Sequence, residues 1–198
     1  DELPSGTTKL RRPGWHFVVP RYPQLRNCLW WGPRRPGSLS GMDLPFDQHG
    51  ILLRRTAVAA GIDDKWLHRL TKAGELIRMR HGAYVDPAVW LPAMPAGRHV
   101  LLGRAVMQQY DDRVALSHTS AHVRRGGPDW GLDLDTVHLT NLFGRGDREK
   151  AGITHHRGWA GAHDVTRVDD HWITAPGRSA AETATLAPLM PAVCVLDW

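Results

Sequence analysis

The segment GIDDKWLHRLTKAGELIRMRHGAYV, residues 61–85, constrains the fold more than any other part of the chain. Gly61 ends a helix-forming run, RRTAVAA, because glycine readily takes the left-handed conformation that terminates helices. Asp63 or Asp64 can cap the next helix, which runs to Ala73. The alternating ELIRMR, a His-Gly turn and AYV then predict the two strands of a hairpin. Helix, tight turn, helix and hairpin is the order of a winged helix-turn-helix.

The second helix of this segment has two unlike faces. Trp66, Leu67, Leu70 and Ala73 recur at helical spacing and form an apolar face. The opposite face carries basic side chains, and a helix of this kind fits the major groove, where base edges can be read. Basic residues on the following strand can hold the adjacent phosphates. The predicted DNA-binding residues are Lys65, His68, Arg69, Lys72, Arg78 and Arg80.

Total charge does not by itself establish a nucleic-acid partner. The formal net charge is +5, but residues 1–41 hold seven Lys and Arg against two acidic residues, and residues 42–198 balance at 18 of each sign. Between Arg54 and Arg80 there are seven basic and three acidic residues, so the positive excess is local. A solvated charged face or a protein-docking winged helix also fits this periodicity.

Residues 1–41 lack the periodicity of the rest of the chain. They mix prolines, glycines, arginines and three tryptophans without helical or strand spacing. We predict a disordered extension, or non-native sequence upstream of Met42; the alternative is a basic arm that stacks tryptophans on bases. The winged helix-turn-helix domain is then expected at residues 42–90.

A second domain is expected at residues 91–198, after a linker that the prolines of DPAVWLPAMPAGR mark. Apolar spacing predicts a helix over residues 98–110, and SHTSAHVRR predicts another with Ser117 as its cap. The remaining predictions are strands at 135–140, 152–157 and 171–175 and helices at 178–187 and 191–198. The predicted fold class is α+β, with the winged helix-turn-helix followed by a mixed α+β domain.

The segment HGILLRRTAVAAGIDDKWLHRLTKAGELIRMRHGAYV resembles the amino-terminal domain of AbiEi family antitoxins, the regulatory halves of type IV toxin-antitoxin pairs. The resemblance includes a G-x-[IL]-x-R strand and an R-x-G-x-Y wing, with Gly74, Arg78, Arg80, Gly82 and Tyr84 at the matching places. It implies a domain that binds repeats in its own promoter and represses its operon. It also implies a nucleotidyltransferase toxin as the cognate partner.

Four further motifs, ALSHTSAHVRRGGPDWG, VHLTNLF, GITHHRG and WITAPGRSAAETATLAP, resemble the second domain of long actinobacterial members of this group. His122 and Arg124 depart from the small or apolar residues usual there, and RSAAETA replaces an RT-x-x-DLA pattern. The long relatives continue into a nuclease-like domain, whereas this sequence stops at Trp198, so a shortened version is expected. The alternative function is the DNA-specificity portion of a nuclease-like protein that has lost its catalytic domain.

The second domain also holds residues that suggest chemistry of its own. His118 and His122 lie at i and i+4, a spacing that can hold one metal ion, but no H-E-x-x-H pattern or carboxylate cluster accompanies them. Asp169 and Asp170 suit a turn better than acid–base catalysis. We predict no catalytic residues, no metal and no cofactor, with a metal-dependent hydrolase as the enzymatic alternative.

Cysteine content and hydropathy favour a cytoplasmic protein without a membrane partner. Cys28 and Cys194 form no metal or redox spacing, and no apolar run approaches the roughly 18 residues of a membrane span. The amino terminus lacks the apolar core of a secretion signal. Because one small module contacts few phosphates, a homodimer or binding to tandem sites is expected.

Overall fold

The structure, a computed structural model, describes residues 43–110, 112–143, 147–158, 161 and 163–198. Helices and two sheets alternate along these residues, which confirms the predicted α+β fold class. The helices are α1 Arg54–Ala59, α2 Asp64–Lys72, α3 Pro87–Trp90, α4 Pro95–Gln109, α5 His118–Arg124, α6 Pro176–Leu186 and α7 Leu189–Leu196. The strands are β1 Ile51–Leu53, β2 Ile77–Arg80, β3 Ala83–Val85, β4 Val114–Leu116, β5 Val137–Asn141, β6 Arg148–Lys150, β7 Ile153–Arg157, β8 Val165–Val168 and β9 His171–Thr174.

The first sheet has three antiparallel strands, with β3 between β1 and β2. Buried side chains from β1, α1, α2 and the β2–β3 hairpin form one cluster beside this sheet. The apolar face of α2 packs into this cluster, and this packing sets the orientation of the helix. The cluster consists of Leu52, Ala57, Ile62, Leu67, Leu70, Leu76 and Tyr84. Strand β1 is not predicted from the sequence, since three residues are too few to show strand alternation.

The second sheet has six strands in the order β6-β7-β5-β4-β9-β8. β4 is parallel to β9 and β5 to β7, while the other neighbours are antiparallel. Side chains from α4 and α5 pack against it in a core of Val106, Met107, Val114, Leu116, Ala121, Val137, Leu139, Ile153 and Ile173. The predicted strands correspond to β5, β7 and β9, whereas β4, β6 and β8 have only three or four residues and are not predicted.

Helix α4 packs on both sheets. Ala105 lies in a buried cluster with Ile51, Leu53 and Ala83 of the first sheet. The next residue, Val106, lies in the core of the second sheet. The described residues also belong to one compact unit. The division into domains at residues 42–90 and 91–198 therefore stays a prediction, and α4 is the element that both parts share.

The predicted proline linker contains a short helix, α3. Asp86 Oδ1 accepts a hydrogen bond from the Ala88 N–H at 2.7 Å, and Pro87 occupies the first turn, where its missing N–H costs nothing. Pro95 begins α4 in the same way, three residues before the predicted start. Proline therefore starts helices here rather than only interrupting them.

Three histidines lie together where α5 meets the second sheet. The rings of His118 and His156 stack with centroids 3.7 Å apart, and His138 Nδ1 lies 2.8 Å from His156 Nε2. Burial, with His156 nearby, lowers the pKa of His118 to about 3 and that of His138 to about 4. Ser117 precedes α5, but its hydroxyl contacts the His118 ring at 2.9 Å and does not cap the helix as predicted.

The free energy of unfolding should fall as the pH drops from about 7 to about 5. Unfolded histidines titrate near pH 6.5, while the pKa values of folded His118 and His138 are lower, so the unfolded state binds more protons in this interval. The stability that these two neutral histidines contribute is thus fully present above pH 6.5 and is lost progressively as the pH falls below it. If the unfolded state binds one to two more protons, the free energy of unfolding should fall by about 1 to 3 kcal/mol per pH unit. Urea unfolding at several pH values measures this slope.

A pair of variants distinguishes the contribution of this histidine cluster to the pH dependence of stability from destabilisation of the whole protein by acid. His138→Gln removes one depressed titration and should flatten the pH dependence of stability. Val58→Ala changes an exposed residue of α1 that has no titratable group and should leave the dependence as in the parent protein. The same slope in all three proteins would show that His138 does not contribute to it.

Candidate nucleic-acid interface

The turn between α1 and α2 is fixed by backbone hydrogen bonds and a cap. Gly61 has a φ of +84°, which favours glycine, and the Ile62 N–H donates to the Ala57 carbonyl at 2.9 Å. Asp63 takes the N-cap position, with Oδ1 accepting a hydrogen bond from the Trp66 N–H at 2.8 Å. An amide N–H of the first turn of α2, which has no partner within the helix, therefore finds its acceptor in the capping residue.

A bidentate ion pair links α1 to α2. Arg54 Nε donates to Asp64 Oδ1 and Arg54 Nη2 donates to Asp64 Oδ2, both at 2.6 Å. These hydrogen bonds lower the pKa of Asp64 and raise the pKa of Arg54. Of the two aspartates considered as caps, Asp63 is the cap and Asp64 is the ion-pair partner. This pair is not predictable from the sequence, because no local pattern joins residues on different helices.

The two faces of α2 separate largely as predicted. Leu67 and Leu70 are buried, and Trp66 is half-buried. Ala73 is exposed at the end of the helix, because the packed face stops one turn earlier. Four predicted DNA-binding residues are exposed on the other side of the helix: Lys65, His68, Arg69 and Lys72.

Within the described part of the chain, Arg69 of this exposed set contacts an aromatic ring. Its guanidinium carbon lies 4.3 Å from the ring centroid of Trp66, one turn earlier on α2. The contact is a cation–π interaction, which restricts the side chain while leaving guanidinium hydrogen-bond donors at the surface. Trp66 therefore serves both the core and the exposed face.

The hairpin of β2 and β3 presents Arg78 at its surface. The β2–β3 register shifts between Arg78 and Arg80, and Arg78 Nη2 lies 3.2 Å from the ring nitrogen Nδ1 of His81. Two contacts hold the turn to the helices: the Arg54 N–H donates to the Gly82 carbonyl at 2.9 Å, and a side-chain amide of α4 donates to the His81 carbonyl at 3.2 Å. The hairpin is thus braced from two sides.

Arg80 differs from the other predicted residues because its side chain is partly buried. Its Nε and Nη1 atoms are buried and have no hydrogen-bond partner among the described residues. Burial lowers the pKa of Arg80, while the nearby Tyr110 acts in the opposite direction. The structure therefore exposes five of the six predicted DNA-binding residues and places the sixth partly inside.

The histidine pair considered for a metal has separate contacts. His122 Nε2 lies 3.2 Å from the Pro128 carbonyl, and its ring packs edge-on against Trp198 with centroids 5.0 Å apart. His118 instead contacts Ser117 and stacks on His156. Among the described residues, no group of three or more His, Cys, Asp or Glu side chains could hold a metal ion.

Two other predictions concern the turn aspartates and the membrane. Asp169 and Asp170 have φ values of +48° and +62° and form the turn between β8 and β9, as predicted. Within the described part of the chain, no helix is both long and apolar enough to cross a membrane.

Two helices joined by a tight turn, an exposed basic face and a two-stranded hairpin thus follow one another within residues 54–85. Residues 46–85 match a protein-family model described as a transcriptional regulator, AbiEi antitoxin. The match confirms the resemblance that the sequence predicts for this segment, and it ends with β3. A search of curated proteins gave no match.

Replacing the cap of α2 should lower the stability of this segment. Asp63→Ala removes the acceptor for the Trp66 N–H and should reduce the free energy of unfolding by about 1 kcal/mol, measured with guanidinium chloride. Asp63→Ser keeps a capping oxygen and should remain close to the parent protein. If serine and alanine were equally damaging, the capping hydrogen bond would not be the cause.

Proposed function

We propose that the protein is a DNA-binding transcriptional regulator of the type IV antitoxin kind, with α2 lying in the major groove. The single observation that carries this proposal is the exposed face of α2, formed by Lys65, His68, Arg69 and Lys72. A helix fits the major groove, and its basic side chains can reach guanine edges and phosphates. The family match over residues 46–85 supports a regulatory role.

The acidic residues at the start of α2 do not oppose an approach to DNA. Asp63 is engaged by the Trp66 N–H, and the carboxylate of Asp64 is held by Arg54 through two hydrogen bonds. Their negative charges are therefore compensated by a helix amino terminus and a guanidinium group. The remaining side of the helix keeps its positive excess.

The hairpin supplies the second part of the proposed interface. Arg78 is exposed and can bind a phosphate beside the groove that α2 occupies. Arg80 stays a predicted contact, and because its guanidinium group is partly buried, it would have to turn outward to reach a phosphate. We therefore assign the larger share of the wing contact to Arg78.

The proposed regulator represses its own operon and opposes a nucleotidyltransferase toxin encoded with it. Support comes from the matched family, which is described as an antitoxin. One small module contacts few phosphates, so tight binding at physiological salt needs a homodimer or tandem sites in the promoter. The protein acts in the cytoplasm, where its promoter is. The competing function of the basic face of α2 is to bind a protein instead of DNA.

Binding to the DNA upstream of the coding sequence should be preferential and should weaken steeply with salt. Lys72→Ala should reduce the slope of log affinity against log salt by about 1, because one phosphate contact is lost. Fluorescence anisotropy with the promoter DNA and a scrambled duplex measures both effects. The matched control is Lys150→Ala on β6, an exposed lysine of the second sheet, which should bind like the parent protein. Equal affinity for both duplexes would favour the docking role.

Removing Arg69 should cost more than removing a phosphate contact. If the guanidinium group of Arg69 reads a base, Arg69→Ala should weaken promoter binding by about 1 to 3 kcal/mol and relax the sequence preference. It should also raise expression from a reporter driven by the promoter. Thermal unfolding of the variant is the control, because Arg69 also contacts Trp66. A folded variant that binds and represses like the parent protein would refute the assignment of this face.

A further inference from the structure

A polar cavity of about 360 Å³ lies between the turn that precedes β1 and the second sheet. Its lining includes two residues of each of three kinds: Arg104 and Arg124, Asp47 and Asp169, His49 and His171. The volume lies within the range that small-molecule sites occupy in proteins. None of these residues belongs to the proposed DNA-binding face, so the cavity is a separate feature of the molecule.

Two arginines from different helices converge on one oxygen atom in this cavity. Arg104 of α4 lies 2.8 Å and Arg124 of α5 lies 2.5 Å from the same Oδ2 atom of Asp169. His49 Nε2 is 3.9 Å from that atom and also contacts Arg104 Nη1. Guanidinium groups arranged around one oxyanion form the geometry in which proteins bind phosphates and carboxylates.

The Arg124 side chain is enclosed, and Asp169 supplies its charged partner in this cavity. Only 8 % of the side chain is exposed, and its Nη1 atom, which is closed to solvent, has no hydrogen-bond partner among the described residues. An enclosed guanidinium group without an oxyanion beside it is unfavourable, so a ligand that displaces Asp169 has to supply one. The convergence of Arg104 and Arg124 on one oxyanion is therefore the observation that points to a ligand.

Asp169 is the most exposed member of this ion-pair network. It lies at the tip of the β8–β9 hairpin, and its side chain is 42 % exposed. Asp47, by contrast, is fixed, because its two carboxylate oxygens accept hydrogen bonds from the backbone of His49 and Ile51 and from the Gln108 amide. The two arginines and two aspartates balance in formal charge while Asp169 is in place. Moving it away leaves a net positive cavity.

We propose that this cavity is a binding site for a small molecule carrying an oxyanion, a phosphate or carboxylate group. Its oxyanion replaces the Asp169 carboxylate between Arg104 and Arg124. Burial lowers the pKa of His49 and His171, so at neutral pH these rings are uncharged hydrogen-bonding groups for the rest of the ligand. Because a single phosphate would not fill the cavity, an organic phosphate fits it better than inorganic phosphate.

The test is calorimetric titration of the full chain with two probes, inorganic phosphate and a nucleoside monophosphate, in low-salt buffer. Arg124→Gln should weaken binding of either probe by about tenfold or more, because it removes the buried charged donor. Asp169→Asn removes the competing carboxylate and should strengthen binding by about tenfold. The control is Lys150→Gln, which alters an exposed lysine of β6 that does not line the cavity, and should leave affinity unchanged.

Thermal unfolding of each variant shows whether it is folded. If Arg124→Gln does not fold, the comparison of Asp169→Asn with the parent protein still decides the question. Binding of the nucleoside monophosphate alone, or of both probes, supports the proposal and tells an organic from an inorganic oxyanion. No saturable binding of either probe to the parent protein and to Asp169→Asn would overturn it. Affinity unchanged in a folded Arg124→Gln variant, or in Asp169→Asn, would also overturn it.

Discussion

Helix α4 is the element on which the rest of this structure depends, because both sheets pack against it. One turn of this helix contributes Ala105 to the core of the first sheet and Val106 and Met107 to the core of the second. Apolar burial against both sheets fixes the position of α4. Its polar residues Arg104, Gln108 and Gln109 are thereby held in defined positions. The basic helix, the hairpin and the cavity all lie in elements that this packing orders.

Hydrogen bonds involving two glutamines of α4 also link this helix to the β2–β3 hairpin and to α1. The Gln109 amide donates to the His81 carbonyl at the hairpin turn, and the Gln108 carbonyl accepts from Arg55 of α1 at 2.7 Å. The side chain of Gln108 reaches Asp47, while Arg104, one turn earlier, reaches Asp169. A ligand held by Arg104 would therefore touch the helix that braces the hairpin. The proposed small-molecule site and the proposed DNA-binding face share one support without sharing residues.

The sequence predicts those parts of the fold whose signals are local. An aspartate cap at Asp63 or Asp64, the glycine at 61 and the faces of α2 follow from spacing within one helix and its two ends, and the structure contains them with Asp63 as the cap. Strands β1 and β4 pair with strands distant in the chain, while β6 and β8 pair with the next strand, and all four are too short to show a period. The Arg54–Asp64 pair and the partial burial of Arg80 are likewise set by tertiary contacts. Residue type alone therefore identifies the basic face but not how far each side chain is exposed.

His122 and Arg124, which the sequence analysis singles out as departures from the resembling group, show how larger polar residues are accommodated in α5. A side chain at Gly127 would place its Cβ about 2.3 Å from the His122 ring, so the glycine provides the space that this histidine occupies. Arg124 is compensated by Asp169, a turn residue whose sequence context suggests only a local role. This pairing leaves one guanidinium nitrogen of Arg124, Nη1, without a hydrogen-bond partner among the described residues. A ligand that displaced Asp169 would have to compensate the same enclosed guanidinium group, so the proposed site depends on a residue that departs from the resembling pattern.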